Sequence, residues 1–159
     1  MLVRTAEGTV DRPSLWRSGL SIVLLDQTAL PSRVDLVTGT ELRDMAECIR
    51  TLRVRGAPAI GAFGALSLAV CLSRGIDLAL SYDTLLSTRP TVVDLRNCLD
   101  LVRYAFERGG PAKAVEEADR ICASIVESCK RIGEAGAPLF RKGERILTHC
   151  NAGALATID

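Results

Sequence analysis

Aromatic residues are scarce in this sequence: tryptophan, tyrosine and phenylalanine together make up 4% of its 159 residues. Proteins that bind single-stranded nucleic acid stack bases on such side chains, so the scarcity argues against that class. The charge supports the same conclusion, because the net charge is only +1 and the basic residues are scattered. We therefore expect no nucleic-acid partner.

Metal-binding patterns are also lacking. The sequence has one histidine, and its six cysteines contain no pair at CxxC spacing. Structural zinc sites draw on clusters of these two residue types, so we expect no metal site. Most of the cysteines lie on apolar faces, as free thiols do in a reducing compartment.

Long apolar segments are missing too. The first thirteen residues, MLVRTAEGTVDRP, have no apolar core of the kind a signal peptide carries. The apolar run 57–72 is short for a membrane span and rich in glycine and alanine. These features predict a soluble, cytoplasmic protein with no membrane partner.

The stretch 55–70, RGAPAIGAFGALSLAV, is the feature around which the chain is organised. Residues 57–72 carry no charge, which predicts a helix buried on all sides, with Pro58 in its first turn. Free N–H groups at a helix start attract anions, and Arg55 adds a positive charge beside them. Two interpretations of Arg55 stay open here: a solvated flank of a core helix, or part of an anion site.

The residues before this stretch predict a small antiparallel sheet of three strands. Two apolar runs, 15–16 and 20–25, are separated by Ser18-Gly19, a pair typical of a tight hairpin turn. A third run at 34–37 alternates as a half-buried strand does. Three short strands are not stable alone, so we expect the sheet to pack against helices.

The rest of the chain predicts mainly helices. Apolar residues recur at helical spacing in four further segments, which begin at Thr40, Asp77, Val92 and Pro111. Residues 145–150, RILTHC, then predict a strand, and 154–157 the first turn of a helix. A strand followed by a helix opens a βα unit.

These elements predict an α+β fold. A small antiparallel three-stranded sheet plus helices forms an N-terminal domain over 1–140. The first βα unit of a truncated Rossmann-like domain occupies 141–159.

Cys150 ends the predicted strand, at the position where ligands bind in open α/β sheets. Asn151 and Gly153 beside it offer an amide and exposed backbone, and nearby free N–H groups favour the thiolate, which suits proton transfer. A buried strand cysteine is the alternative. His149 would point to the opposite face of the strand, so we expect no direct Cys–His pair.

Arg89 lies in a Thr-Arg-Pro-Thr junction between two predicted helices. Pro90 restricts this arginine, and hydroxyl groups flank it, an arrangement that suits phosphate. An exposed loop arginine is the alternative. If the side chains of Arg55 and Arg89 converge, both can contact one phosphate group.

Four segments in order resemble the methylthioribose-1-phosphate isomerase family: LLDQTALP (24–31), IRTLRVRGAPAIG (49–61), STRPTVVDL (87–95) and ILTHCNAGALAT (146–157). That family shares a superfamily with the regulatory subunits of translation initiation factor 2B and with ribose-1,5-bisphosphate isomerase. The resemblance implies aldose-to-ketose isomerisation of 5-methylthioribose 1-phosphate in methionine salvage, without a metal or organic cofactor. It also implies that the whole protein is a homodimer.

Residue by residue, the resemblance implies roles in a sugar-phosphate site. Arg55, Gly56 and Ala57 match the family's phosphate-contacting segment, Arg89 a second substrate-binding arginine, and Cys150 the catalytic cysteine. The family's catalytic aspartate lies beyond residue 159, so we expect this chain alone to be inactive. The alternatives are an isomerase of another pentose 1-phosphate, such as ribose 1,5-bisphosphate, or a non-catalytic regulatory subunit.

Overall fold

A computed structural model describes residues 1–5 and 8–159, in which two small antiparallel sheets precede a group of helices. The strands are β1 (Leu2–Thr5), β2 (Gly8–Asp11), β3 (Leu15–Ser18), β4 (Ser21–Leu25) and β5 (Leu36–Gly39). The helices are α1 (Leu42–Arg50), α2 (Ala57–Ser73), α3 (Leu78–Thr88), α4 (Val93–Gly136) and α5 (Ala154–Thr157), with a 3-10 turn at Ala137–Leu139.

The predicted three-stranded sheet is confirmed, in the order β3-β4-β5. A two-residue turn joins its first two strands, because Ser18 pairs with Ser21. The third strand lies two residues later than the sequence predicts, since Leu36 is the residue that pairs with Leu25 at the end of β4. The separate hairpin of β1 and β2 was not predicted.

α2 is the centre of the fold, as its uncharged sequence predicts. Fourteen of its residues, from Ala59 to Leu72, are buried. Small side chains let α4 approach closely: a Cβ at Gly64 would lie 2.3 Å from Leu95 Cδ1. At Gly61 it would lie 2.9 Å from the Asp94 carbonyl oxygen. The start of α4 is therefore fixed against the first half of α2.

α4 is two helical arms joined by a break, as the sequence predicts. Gly109 and Gly110 leave helical geometry, the latter with φ 70°, and Pro111 begins the second arm. The first arm buries Leu95, Leu99 and Val102, and the second buries Ala114, Ala118 and Ile121. The break lets both arms contribute to one hydrophobic core.

The predicted strand at 145–150 is wrong: the structure describes all of residues 141–159 and forms no strand among them. A strand needs neighbours to pair its backbone groups, and no described strand lies beside this segment. Residues 141–153 are exposed instead, with Leu147 98% exposed. The division of the chain at residue 140 stays a prediction.

The predicted helical turn after that segment is confirmed as α5. Residues 154–158 return to the core, where Ile158 is only 3% exposed. The backbone N–H of Ser14, just before β3, donates a hydrogen bond of 2.6 Å to the Ile158 carbonyl. Within residues 1–5 and 8–159, none of the helices is both long and apolar enough to span a bilayer.

Candidate functional site

The start of α2 carries three of the predicted site residues. Arg55 is exposed, Gly56 caps the helix with φ 91° and ψ 132°, and Ala57 is its first residue. The N–H groups of a first helical turn have no intrahelical partner, so they remain open to an anion. Among the described residues, no side chain or carbonyl pairs with the Arg55 guanidinium.

α5 packs directly on this helix start. A Cβ built on Gly56 would lie 2.5 Å from the Ala156 Cα and 2.6 Å from its carbonyl oxygen. Glycine is therefore required here for two reasons: its φ is positive, and a Cβ would collide with α5. The contact brings the segment that follows Cys150 to the arginine and backbone amides of α2.

A turn that the sequence analysis did not assign to the site supports the helix start. Asp26, which is 9% exposed, accepts hydrogen bonds from the Thr28 N–H (2.9 Å) and the Thr28 hydroxyl (2.6 Å). Its other carboxylate oxygen lies 3.5 Å from Arg53 Nε. Aspartate directly after a strand commonly forms such a turn, and this was the signal available in the sequence.

Gln27 connects the two parts of the site and was also missed. Its backbone N–H donates to the Arg53 carbonyl at 3.0 Å. Its side-chain Nε2 donates to the Leu155 carbonyl at 2.7 Å. One residue therefore contacts both the arginine segment before α2 and the helical turn after Cys150.

Cys150 is exposed and has a φ of 66°. A residue with a Cβ pays about 1–2 kcal/mol for this left-handed conformation, and such strain concentrates at functional sites. His149 is exposed as well. Residues 149 and 150 point to opposite faces only in a strand, and this segment is not one, so the expectation that the two side chains do not pair loses its basis. Among the described residues, no hydrogen bond joins Cys150 to Arg55 or Arg89.

Arg89 lies at the junction of α3 and α4. It is the C-terminal cap of α3, is half-buried, and accepts a hydrogen bond from the Val92 N–H at 3.0 Å through its carbonyl. Its side chain has no ion-pair or hydrogen-bond partner in the described part of the chain. Asp94, five residues after Arg89, contacts Gly61, and this contact places the beginning of α4 beside α2.

Four of the other cysteines are poor candidates for thiol chemistry. Burial raises the pKa of Cys71 and of Cys98 to about 11, and that of Cys122 to about 12. Burial also raises the pKa of Cys48. These groups stay protonated at neutral pH, whereas Cys150 is the exposed thiol of the six.

Comparison with known proteins gives a family match. The model of the initiation factor 2 subunit family matches residues 53–158. A methylthioribose-1-phosphate isomerase from Klebsiella pneumoniae is 40% identical over 153 residues, which is 94% of this chain and 45% of that protein. The chain thus spans less than half the length of this relative.

Two solved structures have the same fold as this chain. The 5-methylthioribose 1-phosphate isomerase from Pyrococcus horikoshii OT3 matches with a TM-score of 0.85 and 31% identity, over 93% of this chain and 46% of that one. The delta subunit of the translation initiation factor eIF-2B from A. fulgidus matches with a TM-score of 0.79 and 32% identity, over 94% of this chain and 48% of that one.

Proposed function

The chain belongs to the initiation factor 2 subunit family, and from that premise we propose that it is the N-terminal portion of an aldose–ketose isomerase. The proposed reaction converts 5-methylthioribose 1-phosphate to 5-methylthioribulose 1-phosphate in methionine salvage. Support comes from the relative named methylthioribose-1-phosphate isomerase, which is 40% identical to this chain.

The observation that carries the proposal is the packing of α5 on the start of α2. It brings the segment following the exposed Cys150 to Gly56, next to an arginine that has no partner in the described residues. In this proposal the sugar phosphate binds to Arg55 and the free N–H groups of the helix start. Arg89 supplies a second positive charge.

The proposed reaction needs a proton-carrying group near the sugar. Isomerisation oxidises C2 of the sugar and reduces C1, so a hydrogen leaves one carbon and another arrives at its neighbour. A thiol within reach of these carbons is suited to that transfer. We assign this role to Cys150, working with a second acid–base group from outside these 159 residues.

Further features of the whole protein belong to the same proposal. It is a cytoplasmic homodimer that works without a metal or organic cofactor, and its second half has a Rossmann-like fold. Within the described residues, no group of three or more His, Cys, Asp or Glu side chains is arranged to hold a metal ion.

An assay of the whole gene product on several aldose 1-phosphates tests this function. We expect ketose formation from 5-methylthioribose 1-phosphate in preference to ribose 1,5-bisphosphate, and loss of turnover in Cys150→Ala. A preference for ribose 1,5-bisphosphate would instead support the related isomerase. No turnover of any of the sugars would overturn the enzyme proposal.

A non-catalytic regulatory subunit is the second candidate. The observation that favours it is the match to the eIF-2B delta subunit, which is 32% identical to this chain, against 31% for the solved isomerase. A gene product that binds sugar phosphates but leaves all of them unchanged would favour this candidate.

A further inference from the structure

We propose that Gln27 is a positioning residue that fixes the cysteine segment, the helical turn 154–158 that follows Cys150, against the phosphate-binding start of α2. The inference rests on the proposed function for its catalytic meaning, but its structural part is independent of that function. Gln27 touches neither the predicted phosphate contacts nor Cys150 through a hydrogen bond. It acts through the backbone on either side of them.

The first contact orients the arginine segment. Gln27 N–H donates to the Arg53 carbonyl at 3.0 Å, two residues before Arg55. The same turn holds the Arg53 side chain, whose Nε lies 3.5 Å from the Asp26 carboxylate. The turn itself is rigid, because the Asp26 carboxylate accepts both the backbone N–H and the hydroxyl of Thr28.

The second contact orients the cysteine segment. The Gln27 side-chain amide donates to the Leu155 carbonyl at 2.7 Å. Carbonyls of so short a helix have few partners within it, so this bond satisfies an acceptor that the helix leaves open. The neighbouring residues are fixed as well, since Ala156 packs on Gly56 and the Ile158 carbonyl accepts from Ser14.

The two contacts make Gln27 the link between the predicted anion site and the predicted proton-transfer group. Removing the side-chain amide breaks the second contact and leaves the first, which is a backbone bond. The cysteine segment is then displaced while the start of α2 keeps its geometry. Loss of the Gln27 amide should therefore leave binding of the phosphate unchanged and slow the chemistry at the sugar carbons.

Hydrogen exchange of the 159-residue chain tests the structural part. Ala156 N–H donates to the Gly153 carbonyl and Ile158 N–H to the Ala154 carbonyl, so both amides report on the α5 turn. In Gln27→Leu we expect these two amides to exchange about five- to tenfold faster, the factor for one ordinary hydrogen bond. The amides of 62–70 in α2 should keep their protection.

Two further variants make the result specific. Gln27→Glu keeps the length and polarity of the side chain but removes the donor, so the same faster exchange is expected. This variant replaces Gln27→Leu in the test if the leucine variant folds poorly. Ser21→Ala is the control, because it removes one side-chain hydrogen bond, from the Ser21 hydroxyl to the Ser18 carbonyl at 2.7 Å, at the opposite end of β4 from Gln27. The Ala156 and Ile158 amides should keep their protection in this variant. Unchanged exchange at Ala156 and Ile158 in both Gln27 variants, or equal loss of protection throughout α2, would overturn the proposal.

Kinetics of the whole gene product test the functional part. For Gln27→Leu we expect kcat to fall by about ten- to hundredfold, with KM for the sugar phosphate nearly unchanged. A rise in KM at unchanged kcat would assign Gln27 to substrate binding and overturn the positioning role. Absence of turnover in the unmodified protein would defeat the proposed function, whereas the exchange result would stand by itself.

Discussion

Arg55 is exposed and Arg89 is half-buried, and neither side chain has a partner among the described residues. If both contact a phosphate, alanine at either position removes a charge-assisted hydrogen bond, and binding weakens by about 1.5–3 kcal/mol. We expect KM for the sugar phosphate to rise in Arg55→Ala and Arg89→Ala of the whole gene product, as steady-state kinetics would measure. Folding stability should change little.

Arg43→Ala is the control for this pair. Arg43 is an exposed arginine on α1, and it too has no partner in the described part of the chain. Its removal should leave KM unaltered. Affinity that falls equally in all three variants would mean a general effect of charge, and unaltered affinity at 55 and 89 would make them ordinary surface arginines.

The thiols give a prediction with a pH dependence. At about pH 8, where a thiolate is the reactive form, iodoacetamide should modify Cys150 well before Cys71, Cys98 and Cys122. Mass spectrometry of the intact chain would follow the order of modification. Cys150→Ser should remove the fast phase. Equal rates at the buried Cys71 and the partly buried Cys98 and Cys122 would contradict this prediction.

The raised pKa values also set the sign of a stability change. The folded state prefers the neutral thiols, so their contribution is fully present below the ordinary pKa of 9.0. The free energy of unfolding should then fall as the pH rises from 9 towards 11. Denaturant titrations at a series of pH values measure this loss.

The sequence points to the charged and reactive residues of the candidate site more readily than to the residues that connect them. Arg55 and Cys150 stood out because a permanent charge and a thiol have chemistry of their own. Gln27 has neither, and its two contacts join residues distant in the sequence. An amide side chain in a turn forms no periodic pattern, so its contacts appear only in three dimensions.

Among the elements, the break in α4 is open to a direct test. Gly110 has φ 70°, so a Cβ there is strained, and Gly110→Ala should destabilise the fold by about 1–2 kcal/mol. Gly133 lies in the regular second arm with open space around it, and Gly133→Ala should stabilise by about 0.5–1 kcal/mol. Urea unfolding of both variants would show opposite signs, and a shift of the same sign would contradict the break.

Local patterns predicted the helices better than the strands. α2, α3 and the two arms of α4 follow from apolar spacing and from Asp77, whose carboxylate accepts the Leu80 N–H at 2.8 Å. Residues 145–150 have the composition of a strand, yet a strand also needs a partner. That requirement is not local, which is why the prediction failed there.

For the whole molecule, we expect the 159-residue chain to fold without turning over methylthioribose 1-phosphate. α2 and α4 share a continuous core, but a proton transfer between two carbons needs a second acid–base group, which we assign to residues outside this chain. Hydrogen exchange should show protected amides in α2 and rapid exchange at 141–153, where the residues are exposed. Turnover together with protection of 141–153 would contradict this expectation.

The close contact of Gly56 with Ala156 also has a consequence for the order of folding. The two residues are a hundred positions apart in the chain, so closing this contact costs more entropy than the nearer packing of α2 on α4. Pulse-labelled refolding should therefore protect α2 before Ala156, and simultaneous protection would contradict that order. On a ribosome that adds about 5–20 residues per second, Ala156 is synthesised about 5–20 s after Gly56. The start of α2, where we propose that the phosphate binds, is thus covered only late in synthesis.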